Sequence, residues 1–275
     1  MRVRSLRLLP LVVLLVVVAL VVPSFVLAQS AINPAPPVVH IQDGGTSGRM
    51  ESIFIPPLTG APFSMMLVTE WSRPLGNGGS FTLVNKRRIV RDGRGRIYQE
   101  RWLLVPKGSK IESRMDVIQI TDPKEHTWLN CGVDEKICEV RPYGLVPDMV
   151  YKLAMGTSGP LPDGQGFRQH DDLGLSNSNG VDTIGYRETT TLNPGVLGND
   201  LPMVSTREFW YSAKLGINLI SKVDDPSSGR QSFSATELTT SEPDPRYFVV
   251  PEGYKVVDRR KGRRSQISRF PLVRR

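Results

Sequence analysis

The chain has 275 residues, with 35 Lys and Arg against 27 Asp and Glu, three His and a formal net charge of +8. Hydrophobic residues make up 39% and charged residues 23%, proportions that exclude a disordered chain, while 25 Gly and 22 Pro imply many turns. Two Cys exclude both a disulfide framework and a four-Cys zinc site.

Arg2, Arg4 and Arg7 precede an apolar run over 8–22, broken at Pro10, and Pro23, Ser24 and Ala28 follow. A basic start, an apolar core, a helix breaker and small residues describe a secretory signal peptide over 1–28, cleaved after Ala28. The alternative is an uncleaved anchor in the inner membrane, because a span needs about 20 apolar residues. An exported chain, periplasmic or extracellular, is therefore expected. Residues 29–60, with Pro34, Pro36 and Pro37, read as a Pro/Gly-rich linker.

From residue 61 the pattern turns to strands. The apolar run 63–71 is a strand, and 81–90 and 96–105 flank the hairpin signal Asp92-Gly93-Arg94-Gly95. Residues 117–120, 127–131 and 137–140 follow. A four-residue turn over 133–136 sets Cys131 directly opposite Cys138, within disulfide range, and an exported protein oxidises such a pair. Residues 147–155 are the one helical candidate in the body. Residues 156–180, rich in Gly, Asn, Asp and Ser, read as a long loop. Strand patterns resume at 183–192, 204–211, 217–223 and 231–240, joined by short polar connections that favour antiparallel neighbours. The expectation is a mainly β fold with little helix. It comprises a single domain over 61–257, in which about ten antiparallel strands form a strongly curved sheet or partial barrel. Beyond it, residues 258–275 are a basic tail, read as disordered.

Charge follows the same division. From residue 255 onward nine Lys and Arg face Asp258 alone, and residues 29–254 carry a net charge of −3. The excess thus belongs to the ends, and it does not argue for nucleic acid. The tail's functional reading is attachment to an anionic envelope surface.

No catalytic signature emerges. His170-Asp171-Asp172 offers acid–base groups, although a polar run in a solvated loop is the commoner reading. Asp163, Asn177, Asn179 and Asp182 are oxygen donors without the order of a calcium loop, and Ser158 lacks the nucleophile-elbow spacing. Arg87, Arg88, Arg91, Arg94, Arg96 and Arg101 crowd one hairpin, either as an anion-binding patch or as a solvated rim balanced by Asp92 and Glu100. No cofactor and no metal is called for, and the chain is read as non-enzymatic, with a hydrolase centred on His170 as the remote alternative.

Asn199-Asp200-Leu201-Pro202, Glu208-Phe209-Trp210-Tyr211-Ser212, Asp225-Pro226 with Gly229, Glu242-Pro243-Asp244-Pro245 and the closing Phe248-Val249-Val250-Pro251-Glu252-Gly253-Tyr254 resemble a family of uncharacterised exported bacterial proteins of Acidobacteria-like genomes. Thr69-Glu70-Trp71 and Arg91-Asp92-Gly93-Arg94-Gly95-Arg96 belong to the same set. The ending is similar to that of LolA/LppX-like periplasmic lipoprotein-carrier domains. That resemblance implies a curved antiparallel sheet around an apolar cavity under a helical lid, although this chain offers a single helical candidate. It implies a binding module for a lipid, lipoprotein or other apolar envelope component, with Met66, Val68, Trp102, Trp128, Phe209 and Tyr211 as candidate cavity residues. The alternative is a structural or protein-interaction domain of the envelope.

Overall fold

The computed structural model describes residues 53–144 and 156–260. Chain order runs β1 (Phe63–Pro74), β2 (Ser80–Arg91), β3 (Ile97–Trp102), β4 (Val105–Pro106), β5 (Met115–Asp122), β6 (Thr127–Gly132) and β7 (Ile137–Pro142). It continues with β8 (Gly159–Pro160), β9 (Gly166–Ser178), β10 (Val181–Leu192), β11 (Met203–Ser212), β12 (Ile217–Asp225), β13 (Gly229–Thr239) and β14 (Lys255–Asp258). Single 3-10 turns lie at Pro162–Gly164 and Pro245–Phe248. The expected signal segment, most of the expected linker, the helical candidate and the tail beyond residue 260 lie outside the described residues.

All fourteen strands belong to one open sheet, ordered β14-β7-β6-β5-β3-β2-β1-β13-β12-β11-β10-β9-β8, with β4 paired to β2. The first strand is therefore central. One meander leaves it toward β7, and the last long strand, β13, returns to its other side and closes a second meander that runs out to β8. Every pairing is antiparallel except β14 with β7. The ten strands expected are present. The four beyond them are β4 and β8, too short to carry a pattern, the edge strand β14, and β9.

β9 overturns the long-loop reading of 156–180. It pairs with β10 from Gly166 to Ser178, and Asn179 and Gly180 turn the hairpin with φ of 52° and 80°. Positive φ at both turn positions is what Asn-Gly tolerates. β9 lies near the edge of the sheet and buries little of either face, so its polar composition does not distinguish it from a loop.

Two hydrogen bonds skip strands and show that the sheet bends. Arg91 Nη2 at the end of β2 donates to the carbonyl of Leu215, before β12, and Asn179 Nδ2 before β10 donates to the carbonyl of Ala235 on β13. Each pair is three strand spacings apart, about 14 Å on a flat sheet, further than one side chain spans.

Two cores pack the sheet from opposite sides, since neighbours in a strand alternate. Ile89 joins Phe63, Met65, Leu67, Leu219 and Phe233 in one, together with Ile53 and Ile55 of the described end of the expected linker. Val90 joins Tyr98, Ile118, Ile120 and Phe248 in the other. There Cys131 and Cys138 pair across the β6–β7 hairpin and are disulfide-bonded, as their opposition predicts.

Candidate ligand-binding face

The register of β1 on β2 sets Phe63 opposite Arg91, Met65 opposite Ile89, Leu67 opposite Arg87, Thr69 opposite Asn85 and Trp71 opposite Leu83. Opposed residues share a face. β13 extends these rows with Ala235, Phe233 and Gln231, and β3 adds Gln99 beside Ile89. This inner face is apolar at the Phe63 end and carries amides and guanidinium groups toward Asn85.

Two arginines on one strand, both on this face, end differently. Arg91 is fully buried, and its guanidinium makes four hydrogen bonds to the backbone. Nε and Nη2 donate to the Ala61 carbonyl at 2.9 and 2.7 Å, Nη1 to Pro56 at 2.8 Å and Nη2 to Leu215 at 2.8 Å. Its charge also lies 4.9 Å from the centre of the Phe63 ring. Burial lowers its pKa to about 10. Arg91 thereby ties residues 56–61 and the β11–β12 turn to the sheet.

Arg87 is 7% exposed and opposes Leu67, yet no hydrogen bond or ion pair is made to it among the described residues. Burial first, and the like charge of Arg101 second, hold it well below the ordinary arginine range. Close by, Asn85 Nδ2 donates to the Trp102 carbonyl at 2.7 Å, which leaves Asn85 Oδ1 turned away from that bond. Asn85 Oδ1 and Gln99 Oε1 are both buried without a partner. Arg101 Nε donates to Gln119 Oε1 at 3.0 Å, and Gln119 Nε2 to Asn130 Oδ1 at 3.1 Å, carrying the polar strip on toward β6. Buried polar groups in folded proteins are nearly always paired, so two unpaired amide oxygens beside an arginine that makes no hydrogen bond mark a site for a polar partner.

The arginine-rich hairpin is thus neither one anion patch nor one solvated rim. Strand alternation sends Arg87 and Arg91 inward while Lys86 and Arg88 lie on the other face. Asp92 is buried and accepts from Arg94 N, Arg96 N and Arg96 Nε. Glu100 lies outward and accepts from Arg88 N, Tyr98 Oη and Trp102 Nε1.

The six candidate cavity residues are all half-buried and divide between places. Met66 and Val68 oppose Arg88 and Lys86 on the outer face, and Trp102, bonded to Glu100, lies there too. Phe209 is inward, in the row of Ser221 and Phe233, with the Tyr186 ring 5.1 Å away. Trp128 is inward in the row of Thr121 and Ile97, under Arg141. Tyr211 lines a separate hollow of about 660 Å³ with Leu175 and Ile184. Arg87 and Asn85 carry a sequence signal, since in the strand pattern 81–90 they are in phase with Ile89, whereas Gln99 joins them only through the β2–β3 register.

The outer face carries a cross-strand ladder of charge: Asp171, Arg187, Glu208, Lys222, Ser232 and Glu70 are successive opposed residues. It floors an open groove of about 770 Å³. Hydrogen bonds from Lys222 and Arg187 pull Glu208 down to about 2. These charges satisfy one another and leave no unpaired group there. His170 and Asp171 alternate to opposite faces, His170 toward Glu188 at 3.6 Å and Asp171 toward Arg187. Among the described residues no group of three His, Cys, Asp or Glu could hold a metal ion.

No family model matches this chain, and no curated protein does. The resemblance to an exported Acidobacteria-like family therefore gains no support. Solved structures similar to it include an uncharacterised conserved protein of Thermus thermophilus, 13% identical at a TM-score of 0.30 over 73% of this chain and 91% of that one. LprF from Mycobacterium bovis is 12% identical at a TM-score of 0.28 over 67% and 90%. A lipoprotein-sorting protein domain of Vibrio parahaemolyticus is 9% identical at a TM-score of 0.21 over 67% and 88%. Lipoprotein-sorting and LprF-type structures are thus among its likenesses. At these identities and scores no property of those proteins passes to this chain by likeness.

Proposed function

We propose that this chain is an exported, non-enzymatic β-domain that holds an amphipathic envelope component, a lipid or a lipoprotein's acyl group, against the inner face of its sheet. The observation that carries the reading is the meeting of Leu67, Trp71 and Phe233 with Arg87 and with Asn85 and Gln99, whose buried amide oxygens lack partners among the described residues. Ligand sites pair apolar walls with a few polar groups that fix orientation. Residues 1–28 would direct export, and the basic tail would hold the domain near an anionic surface. Native mass spectrometry of the full chain recovered after export tests this. A co-purifying amphiphile, displaced by a fluorescent long-chain acyl probe, is the expected result. A ligand-free protein that also ignores the probe removes the reading.

A second reading, an interaction domain, is favoured by the outer edge of β9. β8 covers only Arg168 and Phe167 of it, and Leu175 is 84% exposed. An uncovered edge accepts an added strand. Proline substitution along 171–177 would then abolish partner capture without affecting acyl-probe binding.

A further inference from the structure

We propose that Arg87 receives the anionic end of the ligand, a phosphate or carboxylate oxygen, and that Asn85 Oδ1 and Gln99 Oε1 accept hydrogen bonds from hydroxyls on the same head group. This rests on the inner-face reading above and adds to it the chemical class of the head group.

The argument is one of unmet valence. Arg87 brings a full positive charge to a position opposite the buried Leu67, and among the described residues no carboxylate pairs with it. An arginine needed only for packing is matched, as Arg91 is, by carbonyls that surround its fork. Extending the β2–β3 register past Ile89 and Gln99 puts Arg101 next to Arg87, so two cations approach one place. Two neighbouring guanidinium groups repel, and an anion between them reverses the sign of that interaction. Arg101 keeps its bond to Gln119, so it adds field and Arg87 adds the free donors. The amides narrow the class further. Asn85 Nδ2 donates to Trp102, which fixes the amide's orientation, and its oxygen, an acceptor only, lacks a donor. A phosphodiester by itself offers no donor, whereas a glycerol-type head group offers both phosphate oxygens and hydroxyls.

The test titrates the full exported chain, and Arg87→Met and Arg87→Lys variants, with three probes. These are a monoacyl phosphatidylglycerol, the neutral monoacylglycerol of the same chain length, and glycerol 3-phosphate. The anionic amphiphile should bind wild type about tenfold to a hundredfold tighter than the neutral one, the range of a charge-assisted bond. Arg87→Met should close the gap, so that the variant binds the two amphiphiles alike, while Arg87→Lys keeps part of it. If both amphiphiles bind Arg87→Met as they bind wild type, the acyl-binding reading stands and the assignment of Arg87 falls. If neither amphiphile binds wild type but glycerol 3-phosphate binds in an Arg87-dependent way, the anion site stands and the acyl reading falls. If nothing binds, both are overturned.

Discussion

Arg91 and Arg87 lie four residues apart on one strand and one face, yet they do opposite things to this protein. Around Arg91 the chain closes: the segment before β1, the β11–β12 turn and the Phe63 ring converge on a guanidinium that makes four hydrogen bonds to backbone carbonyls. Around Arg87 the strands supply Leu67, Thr69 and Asn85, and among the described residues none of them accepts a hydrogen bond from it. Burial of a charge is costly unless it is paired. One arginine is therefore part of what holds the fold together, and the other is a local weakness kept within it. A region that lowers stability without a structural return is where a ligand site is expected.

The comparison breaks most readily at Arg91. Arg91→Met leaves the carbonyls of Ala61 and Leu215 without the donors they have here, and Pro56 with Leu58 N alone, and should cost about 3–5 kcal/mol in urea unfolding, the range for breaking a buried charged network. Hydrogen exchange should quicken at 55–61 before it does so elsewhere. A loss below that of an ordinary surface substitution would mean that Arg91 is no anchor.

Arg87→Met should act with the opposite sign. Replacing an unpaired buried charge by an apolar chain of similar length should stabilise the ligand-free protein by about 1–3 kcal/mol. A loss of stability on this substitution would put Arg87 in the same class as Arg91. The two sites share no partner, so the double variant should equal the sum of the singles within about 0.5 kcal/mol.

Glu208 supplies the smallest effect and a control on the outer face. Its pKa is depressed to about 2 by hydrogen bonds from Lys222 and Arg187, so the stabilisation it contributes is complete above its ordinary value near 4.5. That stabilisation is lost as pH falls through about 2. Its two partners are roughly half exposed, which screens the pair. Glu208→Gln should therefore cost only about 1 kcal/mol at pH 7. The two proteins should converge near pH 2, and anion binding at Arg87 should not change. A Glu208→Gln variant that altered anion binding would show that the two faces are coupled.

Much of this architecture is legible in the residues. Asp92-Gly93-Arg94-Gly95 announces the β2–β3 hairpin, the spacing of Cys131 and Cys138 announces their opposition, and the apolar runs announce ten of the strands. Those features act between neighbours in the chain, where turn chemistry and alternation decide the outcome. β9 escapes the same reading because an edge strand needs hydrogen-bond partners and not an apolar face. The six large apolar residues expected to line one cavity have size in common, and size does not say which face a strand presents.

The sequence by itself determined a β-rich body of slightly acidic charge, flanked by basic ends, with one disulfide. Only the tertiary structure decided that β1 is central with β2 and β13 on either side, because that order depends on contacts about 170 residues apart, such as Thr236 with Met66. It alone separated two like arginines. Arg91 meets backbone carbonyls from segments 30 and 124 residues away, and Arg87 meets none. Whether a buried charge is satisfied depends on what other parts of the chain bring to it, and no local pattern records that.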